Sequence, residues 1–313
     1  MLTHLAAPRV ATVQTFFQTT SQKDLLGCYA WCQAVSSGLL PILGDFEVSL
    51  RNALHRSFSQ HYGNVDSLDW MMTRPNPAAA HNPRAKPLPA LHKMNPQTQK
   101  DIKSAATKVG RRKSVVTQDD IVAALPFGFW EQIINALDHP SQPAGTQAAI
   151  LSKVFPNAPD LATCAYGDPA FKDRVVKLLF QIRDVRNRIG HHDAIWGIPE
   201  FNREGVVGFY PRRPRHTVNS LKLLADNIAW FAGWISPQVT RYMRNSDHWW
   251  SFASLLTKQA LVVYRAMGGR IGTYERVLRL QLQSEPVSRR SRKPMDRDMR
   301  KLQQPLHLWR MHY

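Results

Sequence analysis

The chain has 313 residues, enough for a large buried core, and 43% of them are hydrophobic, as in an ordinary soluble globular protein. Its charge is unusual, because 41 Lys and Arg residues against 23 Asp and Glu residues leave a formal net charge of +18. Such an excess is typical of proteins that contact polyanions, and it favours RNA or DNA over a membrane surface. A solvated surface without a function is the alternative.

Three features predict a cytoplasmic protein. Residues 1–14 lack the pattern of a secretory signal. The longest apolar run, residues 25–43, is interrupted by polar residues and by Pro41, which favours a buried helix followed by a turn over a membrane span. The cysteines are odd in number and lack zinc-site spacing, so we expect reduced thiols and neither a metal nor another cofactor: Cys28, Cys32 and Cys164.

The N-terminal part is predicted to contain two consecutive helices. The first covers residues 22–38, and a turn at 41–44 ends it. Asp45 is then the N-cap of the second helix. The apolar residues of that helix recur at every fourth position: Phe46, Leu50, Leu54 and Phe58.

Three polar residues, Glu47, Arg51 and His55, follow the flank of the second helix at the same four-residue spacing. A salt-bridged helix edge is the ordinary explanation. Glu47, however, falls within the apolar arc, where a carboxylate needs a cationic partner. We therefore expect Arg51, or an arginine from another helix, to pair with Glu47.

Prolines predict a long surface insertion over residues 72–116, namely Pro75, Pro77, Pro83, Pro87 and Pro89. Helix is expected to resume within it at 98–109 and to lead to a basic cluster that we predict to bind RNA: Lys108, Arg111, Arg112 and Lys113. Thr117 and Asp120 then form a capping box for a short helix that runs into a buried aromatic segment, residues 124–130.

A helix beginning at Asp168 or Pro169 carries the most informative stretch of the chain at its end. Its predicted buried stripe consists of Phe171, Val175, Leu178, Leu179, Ile182 and Ile189. Farther on, a basic loop is predicted to bind RNA through Arg212, Arg213 and Arg215. A helix over 217–235 and less regular amphipathic sequence follow, and residues 286–313 form a basic, flexible tail. Residues 1–285 are therefore expected to form one all-α domain.

The informative stretch, Arg186 to Asp193, combines arginine, an amide and two imidazoles. Arg186 lies about 40° from Ile182 on an ideal helix, which predicts that it faces the packed side. His191 is about 140° from Arg186, so one straight helix cannot direct both side chains to one point. Either Gly190 ends or kinks the helix, or two copies of the chain assemble the site across a two-fold axis.

Local chemistry leaves the role of this stretch open. Arginine binds phosphate and histidine transfers protons near neutral pH, which indicates phosphate chemistry. Cationic side chains that cap a helix C-terminus are an equally good explanation. A metal site built from His191, His192 and Asp193 is much less favoured, because adjacent side chains diverge on a helix.

Three segments, in this order, resemble the signatures of Abi-like proteins, the AbiD/AbiF-type abortive-infection group of the HEPN superfamily. They are residues 46–53 with Glu47, Arg51 and Asn52, residues 125–130, and residues 186–196 with an Arg-x4-His motif from Arg186 to His191. Together they span about Asp24 to Trp234. The resemblance implies a HEPN-type helical bundle that dimerises around a composite active site.

The resemblance also implies an activity: metal-independent RNA cleavage for phage defence or as a toxin, in which the 2′-hydroxyl attacks the phosphodiester and leaves a 2′,3′-cyclic phosphate. Arg186 would stabilise the phosphorane, His191 would act as general base or acid, Asn187 would orient the phosphate and His192 would assist. Glu47, Arg51 and Asn52 would support these residues. A cognate antitoxin, RNA or protein, is expected as partner. The alternative is a non-catalytic RNA-binding protein within a ribonucleoprotein.

Overall fold

A computed structural model describes residues 4–71, 80–81, 84, 96–140 and 142–270. Within these ranges the chain forms α-helices and no β-strand, which confirms the predicted all-α class. The helices are α1 (Ala7–Phe17), α2 (Gln22–Tyr62), α3 (Pro96–Gly110), α4 (Gln118–Ala124), α5 (Phe127–Asn135), α6 (Thr146–Val154), α7 (Pro169–Gly190), α8 (Pro214–Ile235), α9 (Pro237–Asn245), α10 (Asp247–Leu255) and α11 (Lys258–Met267).

The prediction of two helices separated by a turn at 41–44 is wrong, because α2 is a single helix of 41 residues that passes through Pro41. Pro41 cannot donate a hydrogen bond to the carbonyl of Ser37, but Ser37 is exposed, so water can satisfy that carbonyl. Leu39 and Ile42 beside the proline are fully buried. Their burial outweighs the roughly 3 kcal/mol by which proline disfavours a helix interior.

The predicted N-cap function of Asp45 is wrong for the same reason, since Asp45 lies inside α2. Its backbone carbonyl accepts a hydrogen bond from the Ser49 hydroxyl at 2.8 Å. The N-cap of the helix is Ser21, whose hydroxyl accepts a hydrogen bond from the Asp24 backbone N–H at 3.1 Å. Asp24 lies in the first turn, where its negative charge interacts favourably with the positive end of the helix dipole.

Helix α2 is the central element of the fold. It packs against α6 and α8 along its second half and against α10 and α11 along its first half. Among the described residues, it is the one helix that is long and apolar enough to cross a membrane, yet half of its most apolar window is buried inside the protein. The core helix of a globular protein has the same property.

Helix α7 forms as predicted. All six residues of its predicted stripe are buried, with exposed fractions between 0% and 8%. On its flank the Arg183 guanidinium pairs with Glu131 of α5 at 2.9 Å, and burial raises the pKa of that carboxyl. This ion pair joins α7 to the aromatic segment at 125–130, where Phe127, Phe129 and Trp130 are buried as predicted.

The predicted insertion contains one described helix, α3, close to the range expected for it. Helix α3 packs against α4 and α5. The predicted capping box is present, because the Thr117 hydroxyl accepts from the Asp120 N–H while the Asp120 carboxylate accepts from the Thr117 N–H. Most of residues 72–95, and the whole predicted tail 286–313, lie outside the described residues.

Helices α1, α6 and α9 were not predicted from the sequence. In α1, Val13 and Phe17 are buried four residues apart, and Phe16 packs on Trp196 with ring centroids 4.2 Å apart. Helix α1 thereby covers the loop that follows the Arg186–Asp193 stretch. The sequence signal for α1 was present but short: Pro8 at the helix start and one apolar pair at helical spacing.

Candidate functional site

The end of α7 is closed by backbone hydrogen bonds. The His192 N–H donates to the Ile189 carbonyl at 3.0 Å, and the Asp193 N–H donates to the Arg188 carbonyl at 2.7 Å. His192 has a φ of 54°, in the left-handed region. This pair of bonds around a left-handed residue is a Schellman motif, in which glycine is the preferred residue. Helix α7 ends at Gly190, as one of the two alternatives predicted, but the left-handed residue at this end is His192 and not the glycine.

The imidazoles of His191 and His192 are exposed and make no hydrogen bond or ion pair with the described part of the chain. The histidine side chains therefore do not cap the last carbonyls of α7 by hydrogen bonding, although cationic side chains are favourable at this negative end of the helix dipole. His191 directly follows the last helical residue, with φ −93° and ψ 9°. On an ideal helix the two side chains of Arg186 and His191 would be about 140° apart, and within the described residues no hydrogen bond or ion pair joins them.

Arg186 is exposed, with 44% of its side chain accessible, so the prediction that it faces the packed side is wrong. The buried positions of the last turns are Ile182, Val185 and Ile189. The centre of that arc lies between Val185 and Ile189, roughly 70° from Arg186. Arg186 is thus at the edge of the buried face, where its guanidinium can reach both α2 and solvent.

The Arg186 guanidinium lies beside Glu47 of α2, with 3.8 Å between Nε and Oε2. The expectation that an arginine from another helix would pair with Glu47 is confirmed. Because 3.8 Å exceeds a hydrogen-bond distance, the carboxylate attracts the guanidinium without fixing its donors. Glu47 is one-fifth exposed, so this contact lies at the margin of the core and leaves Arg186 donors available to a ligand.

Arg51 and Asn52, the other predicted supporting residues, make no hydrogen bond with Arg186 within the described part of the chain. Arg51 is half-buried, and its Nε is a buried donor that lacks a partner among the described residues. Asn52 is exposed, as its position off the apolar stripe predicted. Asn187 is also exposed, one residue after Arg186. The structure thus brings Glu47 to Arg186 but assembles no compact catalytic cluster from the described residues of one chain.

His55 is the third residue of the Glu47 series, and it is part of the core. It is 5% exposed, and its Nδ1 accepts a hydrogen bond from the Trp70 indole N–H at 3.1 Å. Its Nε2 is buried and has no hydrogen-bond partner in the described ranges. Burial lowers the pKa of the imidazole below 6.5, so His55 is neutral and structural at pH 7.

The predicted basic cluster lies along α3 and the turn after it. Helical spacing extends the cluster to two residues that were not predicted, Lys100 and Lys103. Together with Lys108, Arg111 and Arg112 they line one surface groove, the α3 groove. Lys113 differs, because its ammonium pairs with Asp120 and holds the pKa of that carboxyl at about 2.

The second predicted basic segment borders a cleft of about 880 Å³. Arg212 and Arg213, immediately before α8, line the cleft together with Trp196 and Phe16. Arg215, in the first turn of α8, is exposed and does not line this cleft.

Comparison of the chain with family models, with characterised proteins and with solved structures finds no match. Within the described ranges no group of three His, Cys, Asp or Glu side chains is arranged to hold a metal ion.

Proposed function

We propose that the chain is a HEPN-type endoribonuclease of the abortive-infection or toxin class. The observation that carries the proposal is the end of α7, where the exposed imidazoles of His191 and His192 make no hydrogen bond within the described residues and follow an Arg186 guanidinium that is available to a ligand. A residue retained against the preference of its backbone position is expected at a functional site. The net charge of +18 and the α3 groove support RNA as the substrate.

In the proposed reaction, the 2′-hydroxyl of RNA attacks the adjacent phosphorus and expels the 5′-oxygen of the next nucleotide. His191 accepts the hydroxyl proton or donates a proton to the leaving oxygen. Arg186 neutralises the charge that develops on the phosphorane. Asn187 orients the phosphate, and His192 is a secondary proton carrier. The products are a 2′,3′-cyclic phosphate and a 5′-hydroxyl.

The angle of about 140° that separates Arg186 from His191 on an ideal helix supports a site shared between two copies of the chain. A second copy related by a two-fold axis can place its His191 near the first copy's Arg186. The α2 surface beside Glu47 is suited to such a contact, because Leu40 and Val48 are 49% and 42% exposed on a helix that buries most of its large apolar residues.

End-group analysis of RNA incubated with the purified protein in EDTA tests the activity. Arg186→Ala is expected to lower cleavage roughly 10²- to 10³-fold and His191→Ala roughly 10²- to 10⁴-fold. Arg188→Ala is the matched control, since Arg188 pairs with Asp184 on the same helix at 2.8 Å. Full cleavage by the Arg186→Ala/His191→Ala double variant contradicts the proposal.

Mixing the two inactive variants tests the shared site. If Arg186 of one copy works with His191 of the other, half of the dimers in a 1:1 mixture regain one of two sites, and about a quarter of the activity returns. A site within one chain regains none.

A non-catalytic RNA-binding protein is the second candidate function. The observation that favours it is the absence, within the described chain, of a group that orients the His191 imidazole, since a general base is normally held by a hydrogen-bonded partner. It predicts RNA binding that weakens with salt and no cyclic phosphate product. Growth arrest on expression that disappears in His191→Ala would argue against it.

A further inference from the structure

A second site lies next to the motif, in the cleft between α1 and the start of α8, which we call the α1–α8 cleft. Helix α1 contributes Thr12, Thr15 and Phe16, the loop after the motif contributes Trp196, and the segment before α8 contributes Arg212 and Arg213. Its volume of about 880 Å³ is that of a small-molecule site.

The charged wall of the α1–α8 cleft is available to an anion. Arg212 and Arg213 make no ion pair within the described ranges, where no carboxylate lines the cleft. Unpaired arginines in a concave site present guanidinium donors to phosphate with little competition. The first turn of the 22-residue helix α8 lacks a side-chain cap, which adds positive potential at the same wall.

Aromatic residues also line the cleft. The ring of Trp196 lies 4.2 Å from that of Phe16 and also packs edge-on against Phe17, so it is held from one side. Trp196 is only partly buried, and its remaining surface lines the cleft. A fixed aromatic ring beside a pair of arginines matches a ligand that has both a flat ring and a phosphate.

We propose that the α1–α8 cleft binds a nucleoside phosphate, with the phosphate on Arg212 and Arg213 and the base against Trp196. Trp196 follows His191 by five positions, so their Cα atoms are at most roughly 18 Å apart. We take single-stranded RNA as the source of this nucleotide, and in that respect the inference rests on the proposed function. In that setting the cleft holds a nucleotide that flanks the scissile phosphate and contributes to sequence preference.

Binding of a short unstructured fluorescein-labelled RNA, measured by anisotropy on full-length His191→Ala protein, tests the cleft without cleavage. Trp196→Leu is expected to weaken binding roughly tenfold, whereas Trp196→Phe keeps a stacking face and stays within about threefold of the parent. Arg212→Gln/Arg213→Gln should lower the slope of log affinity against log salt by about 0.7 for each phosphate that the two arginines neutralise.

Two matched controls separate the cleft from folding and from net charge. Thr15 is exposed on α1, so Thr15→Glu places a carboxylate in the cleft and should weaken binding at least about tenfold. Thr15→Gln introduces an uncharged side chain of the same shape as the glutamate and should not weaken binding. Arg241→Gln/Lys258→Gln removes two charges elsewhere on the surface. If this pair weakens binding as much as the Arg212/Arg213 pair, and Thr15→Glu binds like Thr15→Gln, the proposal is wrong.

Competition with AMP identifies the source of the nucleotide. Release of the probe by AMP from the parent but not from Thr15→Glu protein supports a site that also takes free nucleotides. No release by AMP, with weaker RNA binding in the cleft variants, supports a site for nucleotides within RNA. If neither effect is seen, the cleft is not a nucleotide site. Cleavage is measured separately on protein that retains His191. If the cleft variants bind RNA more weakly but the protein with His191 does not cleave it, the proposed nuclease activity is wrong. If that protein cleaves RNA but the cleft variants bind as tightly as the parent, the proposed cleft site is wrong.

Discussion

The residues that end α7 are poor choices for helix termination alone. His192 adopts the left-handed conformation, which costs a residue with a Cβ about 1–2 kcal/mol relative to glycine. Gly190 lies in helical backbone with nothing within 4 Å of an ideal Cβ, where glycine is about 1 kcal/mol worse than alanine. The chain thus has histidine where glycine fits and glycine where alanine fits. A ligand or second chain that approaches this surface, as proposed above, would explain both.

His192→Gly and Gly190→Ala are each expected to raise the thermal unfolding midpoint, by the equivalent of about 0.5–1 kcal/mol. Differential scanning calorimetry measures both. Gly205→Ala is the control of opposite sign, since Gly205 has φ +71° and its Cβ would lie 2.6 Å from that of Lys177. A lower midpoint for His192→Gly would show that the imidazole stabilises the fold.

The buried His55 predicts an acid-sensitive stability. Its pKa is lowered by burial, so the unfolded chain binds a proton more readily than the folded one. Asp66 and Asp119 act in the opposite direction and Arg56 in the same direction, but burial dominates. The contribution is complete above pH 6.5 and is lost as pH falls towards the folded-state pKa.

His55→Gln can still accept the Trp70 N–H but does not titrate. The stability measured by thermal unfolding is therefore expected to fall more steeply between pH 7.5 and about 5 in the parent than in this variant. The paired comparison is needed because burial raises the pKa of Asp45 and Glu131, which stabilises the folded chain as the pH falls. Parallel curves would contradict a buried neutral His55.

Among the helices, α7 could be predicted from its local sequence pattern, whereas the full length of α2 could not, because it depends on tertiary packing. The apolar stripe of α7 runs through most of the helix, and Pro169 and Asp168 mark its start. In α2, Pro41 locally predicts the end of a helix. The helix continues through it because Leu39 and Ile42 are buried by distant helices. Tertiary packing of this kind has no signature in a local window.

The contact between α2 and α11 is so close that it requires a glycine. An ideal Cβ on Gly27 would lie 2.2 Å from the Tyr264 carbonyl oxygen of α11. Beside it, Asp24 accepts two hydrogen bonds from the Arg265 guanidinium, which lowers the pKa of that carboxyl. The Cys28 thiol is buried one residue from this contact and lies near Arg265 of α11, and burial raises the pKa of that thiol to about 12.

Gly27→Ala is expected to separate α11 from α2, to lower stability by about 1–3 kcal/mol, and to expose Cys28 to alkylation. Mass spectrometry of iodoacetamide-treated native protein measures the exposure. Gly44→Ala on the same helix is the control, because its Cβ would meet nothing within 4 Å and should stabilise the helix. Equal protection of Cys28 in both variants would contradict the close contact.

Across the whole molecule, the sequence could single out candidate site residues, but it could not predict how the fold arranges them. The sequence identified the Arg186–His191 stretch, the need of Glu47 for an arginine, and two basic segments. Lys100 and Lys103 were not identified, although their spacing to Arg111 follows one helix face. Phe16 could not be assigned to a cleft either, because α1 meets Trp196 from the far end of the chain.

The α3 groove is the part of the basic surface that we expect to contact RNA phosphates. Lys103 lines the groove without an acidic partner among the described residues, whereas Lys113 is already paired with Asp120. Lys103→Gln is therefore expected to lower the slope of log RNA affinity against log salt by about 0.7, the value for one fewer neutralised phosphate. Lys113→Gln, with the same change in net charge, should leave the slope almost unchanged.

Fluorescence anisotropy over a series of KCl concentrations measures both slopes on the same RNA. Equal effects of the two substitutions would mean that RNA responds to net charge and not to the groove. A larger effect of Lys103→Gln would place phosphates along α3. The position of α3 against α4 and α5, and of α5 against α7 through Glu131 and Arg183, would then connect the RNA path to the helix that carries the motif.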